Sequence, residues 1–276
     1  MPKTLTIATC QHPVSGDIEQ NLAAVIRLAR KAKAGKADIA HFPECNLSGY
    51  AGIDFPNLDD RDENNRLQAL ETTRSLARKL KVRLIIGSHH YEDPARKPFN
   101  SLYLIDEQGE LRDRYDKRFL PGEAGTEEHL HFRPGKDPVV FDLQGIPCGL
   151  LICHEWRYPE LYRQYYKLGV KVVFHSWYDG NRTKEQYRQE GKEEGALITG
   201  TARGYAANNH LWISGSNTSR RESCFSAFVA QPDGKLFNKG RRNQSGVLLS
   251  RIDLEKRFYD PSGPWRDRAI EGILQS

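Results

Sequence analysis

Apolar positions along the chain change their spacing repeatedly, and each change predicts an element. Thr4 to Cys10 alternates apolar and polar residues, which predicts a strand. From Asp17 to Ala34, Leu22, Val25, Ile26 and Ala29 recur at helical spacing, and Gly35 ends the helix. Asp38 to Phe42 reads as a strand, Asn64 to Leu80 as a helix and Val82 to His89 as a strand. Asn100 to Ile105 and Leu111 to Asp116 flank Asp106-Glu107-Gln108-Gly109, a hairpin signal. Lys117 to Gly135 has no period and reads as irregular. Val139 to Leu143 and Cys148 to Cys153 predict strands, Pro159 to Leu168 a helix, and Val170 to His175 a strand. Lys184 to Asn208 predicts a helix weakened by Gly191, Gly195, Gly200 and Gly204, whose bland explanation is packing against another helix. Leu211 to Ser216, Phe225 to Ala230 and Gly246 to Ile252 predict strands, with a hairpin turn at Pro232-Asp233-Gly234. The tail from Arg257 reads as polar and irregular. Strands and helices mix from end to end without repeat or linker. This predicts a single α/β domain over residues 1–276, with stacked sheets and helices outside them.

Composition removes several classes of function. Hydrophobic residues make up 38% and charged residues 28%, which fits neither a membrane protein nor a disordered chain. The net charge is +5 and spread along the chain, so nucleic acid is not an expected partner. No apolar run approaches the roughly 18 residues of a membrane span. The N-terminus lacks the pattern of a signal peptide. Five cysteines at low density, with no CxxC pair, suit free thiols in a reducing cytoplasm.

Three polar residues fall where predicted strands end, and strand ends are where active sites collect. Glu44 closes the run Ile39 to Pro43, Lys117 closes Tyr115-Asp116, and Cys153 closes Gly149 to Ile152. Each alone is ordinary: a loop charge, a surface lysine, a small core residue. Together they meet the needs of thiol catalysis. A thiol is mostly protonated at neutral pH and needs a base, which Glu44 supplies. Lys117 can stabilise a thiolate and an oxyanion, and a tight turn after Cys153 can aim the His154 N–H at the same oxyanion.

With these residues in place, the chain resembles the nitrilase superfamily of carbon–nitrogen hydrolases. The resemblance rests on Phe42-Pro43-Glu44, on Tyr115-Asp116-Lys117-Arg118-Phe119-Leu120-Pro121-Gly122, and on Cys153-His154-Glu155-Trp156-Arg157-Tyr158-Pro159-Glu160. Phe132-Arg133-Pro134-Gly135 and the Pro232-Asp233-Gly234 hairpin keep the same order, from about Leu5 to Leu254. It implies a four-layer α-β-β-α sandwich, paired into a homodimer or larger even-numbered oligomer. It also implies Cys153 as nucleophile, Glu44 as general base and Lys117 as the catalytic cation. A second glutamate, six residues before the proline of the Phe-x-Pro-Gly motif, falls on Glu128, with Glu127 as the competing choice. The chain departs from the common pattern with His154-Glu155 and Tyr158 after the cysteine. Since neighbours on an extended strand point to opposite faces, His154 is expected to lie away from the thiol as structural support.

The expected function is cofactor-independent hydrolysis of a non-peptide carbon–nitrogen bond, foremost in a small linear amide. N-carbamoyl compounds and nitriles remain open as substrates. Arg157 is a candidate anchor for a substrate carboxylate, and His154, Trp177 and Tyr178 are candidates to shape the substrate pocket. Arg220-Arg221 and Arg241-Arg242 read as solvated surface. His89-His90 and His129-x-His131 lack the spacing of a metal site, so no metal is expected. A binding protein that merely keeps the fold would have no need of the Glu–Lys–Cys set. A papain-like peptidase would need a distant histidine in a context that His175 and His210 do not have.

Overall fold

The computed structural model describes residues 3–59, 61–122 and 127–275. Part of the segment expected to be irregular, at 123–126, lies outside the described residues. In chain order the strands are β1 (Thr4–Gln11), β2 (Ile39–His41), β3 (Arg83–His90), β4 (Phe99–Ile105), β5 (Leu111–Asp116) and β6 (Val140–Asp142). They continue with β7 (Pro147–Ile152), β8 (Val172–Ser176), β9 (Trp212–Ser216), β10 (Phe228–Ala230), β11 (Leu236–Lys239) and β12 (Gly246–Asp253). The helices are α1 (Ile18–Ala34), α2 (Glu63–Leu80), α3 (Glu128–His131), α4 (Pro159–Lys167), α5 (Lys184–Asn209) and α6 (Gly263–Ile270).

Local chemistry sets the helix ends. Asp17 accepts the Gln20 N–H at 3.0 Å and Asp62 that of Asn65 at 3.1 Å, satisfying donors that a first turn leaves open. Thr183 and Gln186 cap each other reciprocally at the start of α5.

The strands form two six-stranded sheets, ordered β12-β1-β2-β3-β4-β5 and β11-β10-β9-β8-β7-β6. Each has three parallel strands at its centre: β1, β2 and β3 in one, β7, β8 and β9 in the other. Strands with both faces covered read as continuous apolar runs, as Leu150-Leu151-Ile152 and Val172-Val173-Phe174 do. One core cluster places Ile7, Ile39 and Ile85 of the first sheet with Leu150, Val172 and Phe174 of the second. On the far face of the first sheet, Ala8, Leu84 and Ile86 join Val25 and Leu28 of α1 and Leu70 of α2. The result is the four-layer α-β-β-α sandwich.

Three expectations change. The tail is not wholly irregular, because Ser262-Gly263-Pro264 opens α6 and Arg266 ties that helix to the Asn208 carbonyl and to Asp260. The Pro232-Asp233-Gly234 turn joins β10 to β11, whereas β12 crosses to the other sheet and pairs with β1 over eight residues. Gly191 and Gly195 make room for Tyr187 and the Cys224 segment rather than for another helix, and Gly200 and Gly204 face open space. Among the described residues, no helix is long and apolar enough to cross a membrane.

Candidate active site

Glu44 sits in the turn that leaves β2. The turn lies directly over Gly87 of β3, where a Cβ would come within 2.6 Å of the Pro43 carbonyl and the Cys45 nitrogen. Only a glycine there lets the chain pass so closely. The Gly87 N–H donates to Asn46 Oδ1 at 2.7 Å, the Leu47 N–H to the Gly87 carbonyl at 2.9 Å, and the Glu44 N–H to the Trp177 carbonyl at 3.3 Å. Lys117 leaves β5 with its N–H on the Asn100 carbonyl at 2.9 Å, while its own carbonyl accepts from Gly135 at 2.8 Å.

These turns bring four side chains together in full burial. Lys117 Nζ donates to Glu44 Oε1 at 2.8 Å and to Glu128 Oε2 at 2.6 Å. Asn100 Nδ2 donates to Glu44 Oε1 at 2.8 Å and to Glu128 Oε1 at 2.7 Å. Glu128, at the start of α3, is the glutamate that reaches Lys117, and its neighbour Glu127 is exposed. Asn100, which in the sequence only opens a predicted strand, is not among the candidate site residues named there. Its signal was an asparagine inside a strand, where that residue is disfavoured unless something uses its amide.

Charge and burial compete across this cluster. Burial raises the Glu44 pKa to about 7; Lys117 opposes the rise and Glu128 adds to it. Burial acts to lower the Lys117 pKa, but the Glu128 and Glu44 carboxylates hold it well above the usual lysine range. Glu44 Oε2 has no hydrogen-bond partner among the described residues.

Cys153 follows β7 as the first residue of a 3₁₀ turn, Cys153–Arg157, with a left-handed backbone at φ +39°. It is partly accessible, whereas Cys10, Cys45, Cys148 and Cys224 are buried. Burial raises its thiol pKa well above the ordinary value and Glu44 adds to the rise, while Lys117 and the Tyr178 main-chain N–H act to stabilise the thiolate. Glu155 braces the turn. It accepts from the Ile152 N–H at 2.7 Å, from Tyr115 Oη at 2.7 Å and from the Arg118 N–H at 2.8 Å, linking the Cys153 turn to the Lys117 segment.

The other predicted residues divide. Because Cys153 is not extended, strand alternation does not govern His154. Its half-buried ring lies edge-on to Tyr158, beside the Phe119–Tyr158 stack, and burial lowers its pKa to about 4. The Arg157 side chain is 51% exposed, over Trp156 and 4.0 Å from Glu194. The Trp177 ring is buried and stacked on His175 at 3.5 Å. Tyr178 donates from its hydroxyl to Asp54 at 2.7 Å, and Arg220, expected at the surface, pairs with the same carboxylate at 2.5 Å. His89 bonds Glu63 and His90 bonds Tyr103. No group of three or more metal-ligating side chains converges among the described residues.

A model of the carbon-nitrogen hydrolase family matches residues 6–257. The chain belongs to the carbon-nitrogen hydrolase family. This carbon-nitrogen hydrolase is 24% identical to the N-carbamoylputrescine amidase of Arabidopsis thaliana, over 96% of the chain and 93% of that relative. It is 25% identical to the glutamine-dependent NAD(+) synthetase of Acinetobacter baylyi, over 95% of the chain but only 47% of that relative's length. A solved structure of a mutant amidase from Nesterenkonia sp. AN1 shares the fold, with a TM-score of 0.78 at 21% identity over 98% of this chain and 97% of that one. That amidase carries the acetamide moiety of fluoroacetamide added covalently to its active-site cysteine.

Proposed function

We propose that this carbon-nitrogen hydrolase is a cysteine-dependent amidase acting on a small linear amide through a thioester. The observation that carries the reading is Lys117 Nζ held between Glu44 and Glu128 and within electrostatic reach of Cys153, the most exposed cysteine of the chain. Glu44, through its unpartnered Oε2, takes the Cys153 proton as sulfur attacks the carbonyl carbon. An ammonium has three N–H donors; two of those on Lys117 are committed to carboxylates, and the third is left for the oxyanion together with the His154 N–H. Collapse of the tetrahedral intermediate expels ammonia or an amine, with a proton returned from Glu44. A water deprotonated by the same carboxylate then hydrolyses the thioester. Glu128 and Asn100 keep Lys117 and Glu44 in place.

The covalent adduct in the amidase neighbour and the amidase relative support this class. Arg157, turned toward Glu194, weakens the reading in which a substrate carboxylate is anchored there. The proposal includes a homodimer or larger even-numbered oligomer, which the family resemblance supports.

The test is ammonia release from a panel of small linear amides, N-carbamoyl compounds and nitriles, with Cys153→Ala alongside. Amides are expected to turn over fastest. Cys153→Ala is expected to lose at least about a thousandfold while staying folded. Turnover of only N-carbamoyl compounds or only nitriles replaces the substrate class. More than about a hundredth of the activity surviving in Cys153→Ala removes the nucleophile assignment.

A further inference from the structure

The proposed chemistry requires two turns from different sheets to meet: the Glu44 turn after β2 and the Cys153 turn after β7. The end of β8 and the two residues beyond it touch both. Successive residues of a strand face opposite sides, and here the two sides serve the two turns. The His175 side chain reaches the Cys153 carbonyl, with Nε2 at 3.1 Å. The Ser176 hydroxyl donates to the Phe42 carbonyl at 2.8 Å, two residues before Glu44. The Trp177 carbonyl accepts the Glu44 N–H at 3.3 Å, and the Tyr178 main chain acts to stabilise the Cys153 thiolate.

Of these contacts, the one from His175 has defined chemistry. A carbonyl can only accept, so Nε2 carries the hydrogen and donates. Nδ1 is then the acceptor, and it takes the Tyr162 hydroxyl at 2.7 Å. The ring is buried and stacked on Trp177 at 3.5 Å. Its target is a residue that needs holding. A non-glycine residue in the left-handed region is disfavoured, and Cys153 is such a residue.

Resting on the amidase reading, we propose that His175 is a positioning residue for Cys153. Fixed in one tautomer by Tyr162, it donates from Nε2 to the Cys153 carbonyl and holds the nucleophile's left-handed turn in line with Glu44. Burial pushes the His175 pKa well below the ordinary value, with the Cys153 carbonyl opposing the shift, so the ring is neutral at working pH and its single N–H is committed. His175 takes no proton from substrate or thiol.

Three variants test this: His175→Met, which removes the donor at similar volume; His175→Gln, which returns an N–H near the Nε2 position; and Tyr162→Phe, which removes the group that sets the tautomer. Two readouts are needed. One is kcat against KM on the amide that the panel identifies. The other is the rate of iodoacetamide alkylation at Cys153, mapped by peptide mass. His175→Met is expected to lower kcat about 30-fold with KM within about threefold, and to slow alkylation, because misplacing a nucleophile by about 1 Å costs on that order. His175→Gln is expected to recover kcat to within about fivefold of the parent, and Tyr162→Phe to lose about fivefold at unchanged KM. Parental kcat and alkylation in His175→Met overturn the proposal, and so does a loss in His175→Gln as deep as in His175→Met. If His175→Met fails to fold, Tyr162→Phe decides, and parental kcat in it overturns the proposal. Failure of the amidase reading shows separately, as turnover surviving in Cys153→Ala, and the alkylation rate still tests His175.

Discussion

Glu44 shows how one carboxylate is set for work near neutral pH. Burial alone would keep it protonated, and Lys117 alone would keep it ionised. With its pKa brought to about 7, Glu44 is protonated below that pH and a competent base above it. The expected outcome is a kcat/KM that rises with pH through an apparent pKa of about 7, the value belonging to the coupled cluster rather than to one group. Glu44→Gln, which keeps the shape without the basicity, is expected to lose at least about a hundredfold in rate at every pH. A flat profile between pH 6 and pH 8, as round experimental settings of about those values, removes Glu44 as the base. Glu44, Lys117 and Cys153 were legible in the sequence because each is a polar residue closing a predicted strand, and the three together suit thiol chemistry. Asn100 was not, because its amide matters only through two carboxylates, one 56 and the other 28 positions away. The alternation rule applied to His154 does not hold, because it assumes an extended strand and Cys153 has left-handed backbone.

At the scale of elements, Glu44, Lys117 and Cys153 each stand just beyond a strand, and for Glu44 a neighbouring strand decides how closely its turn can approach. Gly87 is the clearest case. Gly87→Ala forces a Cβ against Pro43, Glu44 and Cys45, whose backbone atoms cannot yield as a flexible side chain would. The expected cost is about 1–3 kcal/mol of stability, read by denaturant unfolding. A tenfold or larger fall in kcat is also expected, since the displaced turn carries the base. Parental kcat in a destabilised Gly87→Ala protein means that the turn's position is not what sets the rate. Most elements followed from periodicity to within a few residues, because long apolar repeats are a local property. α6 escaped because its eight residues bury little apolar surface, and its placement comes from Arg266 reaching Asn208 and Asp260.

For the whole molecule, the question is what covers the outer helices. On α5, Leu197 is 51% exposed, and Gly200 and Gly204 have nothing within 4 Å of where a Cβ would stand. This open strip and the family resemblance support pairing through a second copy. Light scattering at micromolar concentration is expected to give a homodimer or a larger even-numbered oligomer, and a monomer overturns it. In the tail, α6 packs back on its own chain through Arg266, and Asp267 accepts from the Tyr166 hydroxyl. The sequence by itself determined the alternation of strands and helices, the stacked-sheet class and the three strand-end residues Glu44, Lys117 and Cys153. Those follow from side-chain spacing and from what each residue type can do, both written locally in the chain. Only the tertiary structure decided that β12 completes the first sheet beside β1, that Asn100 bridges the two glutamates, and that His175 reaches the Cys153 carbonyl. These are contacts between segments far apart in the chain, and no local period encodes which strand end will face which.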